Sequence, residues 1–218
     1  MPEILKVGAD NSEERILTQA AEILANGGII AYPTETFYGL GADATNEKAI
    51  EKIYTIKGRN SNNPISIIIG YAENLYTLVH NVPLAAQKLM QAFWPGALTI
   101  VFQASNKISP LLTAGTGKIG IRLSSHHGTQ VIAQRLGRPL TATSANLSGA
   151  PECTHASDVA SQIGDKIDAI VDLGPTTDDK GSTIIDVTCD PPVILREGTI
   201  TRQSIENIFR KKRVLNSN

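Results

Sequence analysis

Short apolar runs alternate with amphipathic stretches along almost the whole chain, and this alternation limits the fold more than any other feature. Runs at 29–32, 65–69, 98–102, 119–123, 140–142, 167–172, 182–187 and 193–196 are short and rich in Ile, Val and Leu, so they read as strands. Between them, Ser12 followed by Glu13 and Glu14 marks a helix start. Ile16, Leu17, Ala20, Ile23 and Leu24 form its apolar face, and Asn26-Gly27-Gly28 stops it. Similar signals predict helices over 46–57, 83–93, 128–136, 156–163 and 201–209. The pattern predicts an α/β fold with a twisted, open, mixed sheet and helices around it. Strict alternation fails after residue 165, so a purely parallel sheet is not expected.

Composition narrows the class further. With 218 residues and 41% hydrophobic content, one core is expected, forming a single domain over 1–218 with its core about 12–209 and a basic tail over 210–218. Lys and Arg number 20 against 21 Asp and Glu, which argues against a histone-like electrostatic binder and against an acidic disordered tail. No run approaches the length of a membrane span, and residues 1–6 lack the basic-then-apolar pattern of a secretory signal. Cys153 and Cys189 alone make no disulfide framework. A cytoplasmic protein with no membrane partner is expected.

Three nucleotide or metal patterns fail on inspection. Gly115-Thr116-Gly117-Lys118 resembles the end of a phosphate loop, but Leu112 stands where the first Gly belongs and Ile119 replaces the Ser/Thr. Gly39-Leu40-Gly41-Ala42-Asp43-Ala44 lies too far beyond its strand for a dinucleotide fingerprint and lacks the later acidic residue. Cys153-Thr154-His155 offers at most two ligands, and the other His and Cys residues have no ligand spacing, so no metal site is expected.

Four segments carry chemistry. After Tyr32, the segment to Gly41 packs hydroxyls, a carboxylate and two aromatics into a turn-rich loop at a strand end, which is either an ordinary polar turn or a ligand loop. In the following helix Lys57 shares the inward face of Ala49, Ile50, Ile53 and Tyr54. An inward lysine needs an anion or must snorkel outward, and Arg59 beside it makes the pair a candidate phosphate clamp. In Thr141 to Gly149, small and hydroxyl residues follow a short strand, leaving a capped turn or a phosphate contact through Ser144 and Asn146. Arg122 and Arg196 interrupt apolar strands, facing either water or a bound anion. The basic run Arg210 to Arg213 is a solvated helix end or an RNA contact.

In this order the segments resemble the YrdC-like family of threonylcarbamoyl-AMP synthases, over about Gly27 to Gly198. The resemblance rests on Pro33-Thr-Glu-Thr-Phe-Tyr-Gly-Leu-Gly41, Lys57-x-Arg59 with Asn63-Pro64, and Trp94-Pro-Gly-x-Leu-Thr99. It continues through Ser144-x-Asn146, Gly181-Ser-Thr-Ile-Ile-Asp186 and Leu195-Arg196-x-Gly198. It implies a large cationic concave cavity and a nucleotidyltransferase that joins L-threonine, bicarbonate or CO2, and ATP into threonylcarbamoyl-AMP and pyrophosphate. It also implies Mg2+ carried by the nucleotide, and tRNA modified at adenosine 37 by threonylcarbamoyl-transferase partner proteins. By resemblance, Thr36, Arg122, Ala142 and Ser182 contact threonine, and Arg59, Asn63, Lys118, Ser144 and Arg196 contact ATP. Lys57, Arg59, Ser144 and Asn146 form the catalytic signature. Many relatives carry His where this chain has Ile68. The chain resembles the short form of the family, without an added C-terminal domain. A non-catalytic RNA-binding module of the same fold is the alternative. A carbamoyl-transfer role in hydrogenase maturation is set aside, because it uses fused cysteine-rich zinc modules.

Overall fold

The computed structural model describes residues 2–8, 12–58, 62–177 and 180–210. Along these residues run β1 (Glu3–Lys6), α1 (Glu13–Ala25), β2 (Ile30–Pro33), β3 (Tyr38–Gly41), α2 (Glu47–Lys57), β4 (Ser66–Ile68), α3 (Leu75–Leu78) and α4 (Leu84–Phe93). They continue as β5 (Leu98–Gln103), α5 (Pro110–Thr113), β6 (Lys118–Arg122), α6 (His127–Leu136), β7 (Leu140–Ser144), α7 (Ala156–Ile163), β8 (Ala169–Asp172), β9 (Thr183–Asp186), β10 (Val193–Arg196) and α8 (Arg202–Arg210).

All ten strands join one sheet in the order β1-β8-β2-β3-β7-β4-β6-β5-β9-β10. The sheet is mixed, as expected: β1 and β2 run parallel to β8, and β4 to β6, while β3, β7 and β10 pair antiparallel with their neighbours. Strand alternation sorts the side chains onto two faces. Ala31, Ile67, Ile100, Ile119 and Ile121 pack in one apolar cluster with Ile50 and Ile53 of α2. Ile30, Tyr32, Ile68 and Leu140 pack on the other face with Leu17 of α1 and Ile132 of α6.

The helices follow their caps. Ser12 accepts from the Arg15 amide, Asn46 from the Ala49 amide, and Gly58 closes α2 in the left-handed region at φ 58°. Four elements fall outside the sequence reading: β1, β3 and the one-turn helices α3 and α5. Residues Tyr38–Gly41, taken above as loop, form β3, whose glycines are required by packing: a Cβ on Gly39 or Gly41 would lie 2.8 or 2.7 Å from the Tyr32 ring. These glycines make room for an aromatic ring across a hairpin, which accounts for the loose fingerprint they spell. The N-terminal strand β1 was not foreseen, because Leu5 is the one buried side chain in its four residues.

Candidate active site

The two-residue period places Ser66 and Ile68 of β4, Ala142 and Ser144 of β7, and Gly120 and Arg122 of β6 on one sheet face. Above that face the β2–β3 turn folds over, and a cavity of about 220 Å³ opens between them. Tyr32, Thr36, Arg122, Ala142, Ser144, Ser182 and Arg196 line it, with Glu152 as its acidic member. A larger cavity of about 1270 Å³ lies between α4, α8 and the β9–β10 connection, and none of the expected site residues lines it. The smaller one is the candidate site, because the polar side chains converge there.

One end of the cavity is a hydrogen-bond chain. The Arg122 guanidinium donates to the Thr36 hydroxyl from Nη1 and Nη2, each at 3.3 Å. Thr36 Oγ1 lies 3.0 Å from Thr34 Oγ1, and Thr34 donates its own proton to the Phe37 carbonyl at 2.7 Å. Thr34 has only one proton to give, so the Thr36 hydroxyl donates to Thr34 and accepts from Arg122. Glu35 pairs with Arg122: its Oε1 stands 2.7 Å from Nη2 and 3.0 Å from Nε, and Ser124 donates to its other oxygen. Burial pushes the Glu35 carboxyl upward, but the Arg122 charge and the hydrogen bonds from Ser124 and Arg122 outweigh it and hold the group below its ordinary value.

At the opposite side Ser182 bonds the Thr99 hydroxyl at 3.1 Å, and Arg196 donates to the Ser182 carbonyl from Nη2 and Nε at 2.8 and 3.1 Å. Burial lowers the Arg196 pKa; Glu152 opposes this and the Arg122 charge adds to it. The loop behind Arg196 is packed tightly, since a Cβ on Gly198 would meet the Gly181 carbonyl at 2.3 Å.

Thr36, Arg122, Ala142, Ser144, Ser182 and Arg196 are therefore brought together, as expected. Lys57 is buried on the inward face of α2, where oxygen acceptors of the 144–146 turn meet it. Nζ donates to the carbonyls of Ser144 and Asn146 at 2.5 and 2.9 Å and to Asn146 Oδ1 at 3.1 Å. Asn146 also accepts from the Ser144 hydroxyl at 2.6 Å and donates to the Ala150 carbonyl at 2.6 Å. Lys57 and Asn146 thus fix the backbone behind Ser144 and do not line the cavity. Lys118 bonds Asp186 at 2.9 Å with its side chain partly exposed, and Asn63 is exposed; neither lines the cavity. Arg59 and the tail residues Lys211 to Arg213 lie outside the described residues. Ile68 forms part of the cavity floor and is fully buried. The sequence reading assigned no role to Glu35, Ser124, Thr34, Thr99 or Glu152; the lone carboxylate among hydroxyls at 34–36 was the available signal.

The fold and the cavity define a class: mixed-sheet α/β proteins that gather hydroxyls and two arginines on one sheet face. Within it, the model of the Sua5, YciO and YrdC family, described as "Telomere recombination", matches residues 22–198, and this chain belongs to that family. The chain is similar to threonylcarbamoyl-AMP synthase of Bacillus subtilis strain 168, at 42% identity over 88% of this chain and 56% of that protein. It is 38% identical to the enzyme of the same name from Pyrococcus abyssi, over 93% of this chain and 59% of the relative. The chain thus spans less than two-thirds of the length of these two relatives. The structure of P. abyssi Sua5 complexed with L-threonine superimposes with a TM-score of 0.90 at 36% identity, covering 96% of this chain and 61% of that one. Escherichia coli YciO matches with a TM-score of 0.82 at 28% identity, over 91% and 97% of the two chains. No helix among the described residues is long and apolar enough to cross a membrane.

Proposed function

We propose that this chain forms threonylcarbamoyl-AMP and pyrophosphate from L-threonine, bicarbonate or CO2, and ATP, as a nucleotidyltransferase acting within one domain. The observation that carries this reading is the convergence of Thr36, Arg122 and Ser182 on one cavity, in a chain so similar to a Sua5 structure complexed with L-threonine. The buried guanidinium suits the amino-acid carboxylate, and a site that excludes water once its substrates are bound would shelter a carbamate that water destroys. The amine, once neutral, bonds to the carbon of CO2 and loses a proton. A carbamate oxygen then attacks the α-phosphorus of ATP, and the bond to pyrophosphate breaks. Charge gathers on the phosphate oxygens, where Arg196, the Ser144 hydroxyl and Arg59 would supply positioning and electrostatic stabilisation. Lys57 and Asn146 would hold the Ser144 backbone in register, and Asn63 and Lys118 would approach the nucleotide from outside the cavity.

Magnesium would travel with the ATP phosphates, whose oxygens would share its coordination shell with water. The described residues hold no group of three or more His, Cys, Asp or Glu suited to a metal ion. A cytoplasmic location belongs to the same reading, as does transfer of the product to tRNA by partner proteins of the threonylcarbamoyl-transferase complex. The test is pyrophosphate release from ATP, with and without threonine and bicarbonate and with serine as control. Release that needs both co-substrates and favours threonine is expected. No release from a folded chain that binds RNA in a salt-dependent manner would move it to the RNA-binding reading.

A further inference from the structure

Glu35 stands behind the cavity, outside its lining, yet it holds the most constrained side chain within it. One carboxylate oxygen bridges Nε and Nη2 of Arg122, at 3.0 and 2.7 Å, and the other accepts from the fully buried Ser124 hydroxyl. A guanidinium is a planar fork, so fixing its Nε/Nη2 edge fixes the plane of the whole group. The remaining Nη1/Nη2 edge meets the Thr36 hydroxyl, which lines the cavity. Arg122 is only 6% exposed, and without Glu35 its charge would be buried and unpaired.

We propose that Glu35, clamped by Ser124, is a positioning residue that turns the Nη1/Nη2 edge of Arg122 toward the cavity and sets its preference for a zwitterionic amino acid. The inference rests on the amino-acid reading of the Thr36–Arg122–Ser182 end of the cavity. Two consequences follow from the geometry. The carboxylate cancels the guanidinium charge, so a substrate that brings an ammonium group beside its carboxylate meets no net repulsion. The edge that Glu35 occupies is closed to the ligand, so the amino-acid carboxylate binds in one orientation, with its side chain directed by Thr36 and the Ile68 floor.

The test uses the full chain and two variants, Glu35→Gln and Ser124→Ala, each checked for folding by circular dichroism. Glu35→Gln is expected to raise the KM for threonine tenfold or more, as for a lost charge-assisted bond, while the KM for ATP stays within about twofold. Ser124→Ala keeps the charge and loosens the clamp, with an expected rise of about threefold. The Arg122 Nε–H signal in 15N spectra should be protected from exchange in the parent chain and lost in Glu35→Gln, a readout independent of turnover. A folded Glu35→Gln chain with unchanged threonine KM overturns the proposal. Failure of Glu35→Gln to fold shifts the decision to Ser124→Ala, where an unchanged threonine KM overturns it equally. Should the parent release no pyrophosphate, the synthase reading fails, and calorimetry of threonine binding decides the positioning role. Binding weakened in the variant then supports it; equal binding, or no threonine binding by the parent, overturns it.

Discussion

Lys57 shows how a residue can be placed on a helix face from sequence while the fold alone supplies the groups that meet it. The helical spacing from Ile53 put its side chain inward, and it is inward, 5% exposed. What meets it is a set of oxygen acceptors, two backbone carbonyls and the Asn146 side chain, which lie about 90 residues away in sequence. Lys57→Ala is therefore expected to leave these acceptors without their donor. A loss of about 2 kcal/mol in urea unfolding should accompany a 10²-fold or larger fall in pyrophosphate release, because Ser144 loses its anchored backbone. Parent-like turnover in the folded variant would remove Lys57 from the site's support. Glu35 makes the complementary case. Its carboxylate was visible in the sequence, but only the fold brings it to Arg122 and Ser124, both more than 80 residues on.

At the scale of elements, the longer helices and most strands were legible because their signals are local, whereas the one-turn helices α3 and α5 were not. Caps at Ser12 and Asn46 and the left-handed Gly58 follow from side-chain chemistry within a few residues. The strand β3 was not legible, because a Tyr-Gly-Leu-Gly run has little strand propensity. It becomes a strand through pairing with β2 and β7 and through the Tyr32 ring lying across both glycines. Gly39→Ala is expected to cost about 1–3 kcal/mol, since the new Cβ would press on a buried ring whose hydroxyl is held at 2.8 Å by the Thr141 carbonyl. Chemical denaturation measures this directly; an unchanged midpoint would show that the ring yields freely.

Across the whole molecule, several folded-state groups share one downward direction of shift, so all of them cost stability on the acid side. Burial lowers the His126 pKa from its ordinary 6.5, against the opposing charges of Glu35 and Glu13. The Glu35 and Asp186 carboxyls are also held low, Glu35 from an ordinary 4.5 and Asp186 from 3.8. In both, burial opposes the shift and is outweighed, by Arg122 and Ser124 for Glu35 and by the Thr188 and Lys118 bonds for Asp186. In each case the unfolded chain takes up the proton first as pH falls, so stability is full above the ordinary value and is lost through the folded one. Urea midpoints should hold near pH 7.5, begin to fall below about 6.5 as His126 is protonated in the unfolded chain, and fall more steeply below about 4.5. Glu35→Gln should flatten the lower limb and, by removing a charge that opposes the His126 shift, deepen the upper one; the same slopes in both proteins would exclude Glu35 as a source.

The sequence by itself determined most of the longer elements, the caps at Ser12, Asn46 and Gly58, the mixed character of the sheet, and Thr36, Arg122, Ala142, Ser144, Ser182 and Arg196 as residues of the cavity lining. All of these depend on spacing and side-chain chemistry within a few positions, and on motifs kept in order along the chain. Tertiary structure alone decided which partner each charge receives: Lys57 its carbonyls, Arg122 its Glu35, Lys118 its Asp186. Those pairings depend on the strand order β3-β7-β4-β6-β5-β9, which sets side by side segments that are remote in sequence. A buried charge is satisfied by whatever the sheet brings within about 3 Å, and nothing local in the chain encodes that neighbour.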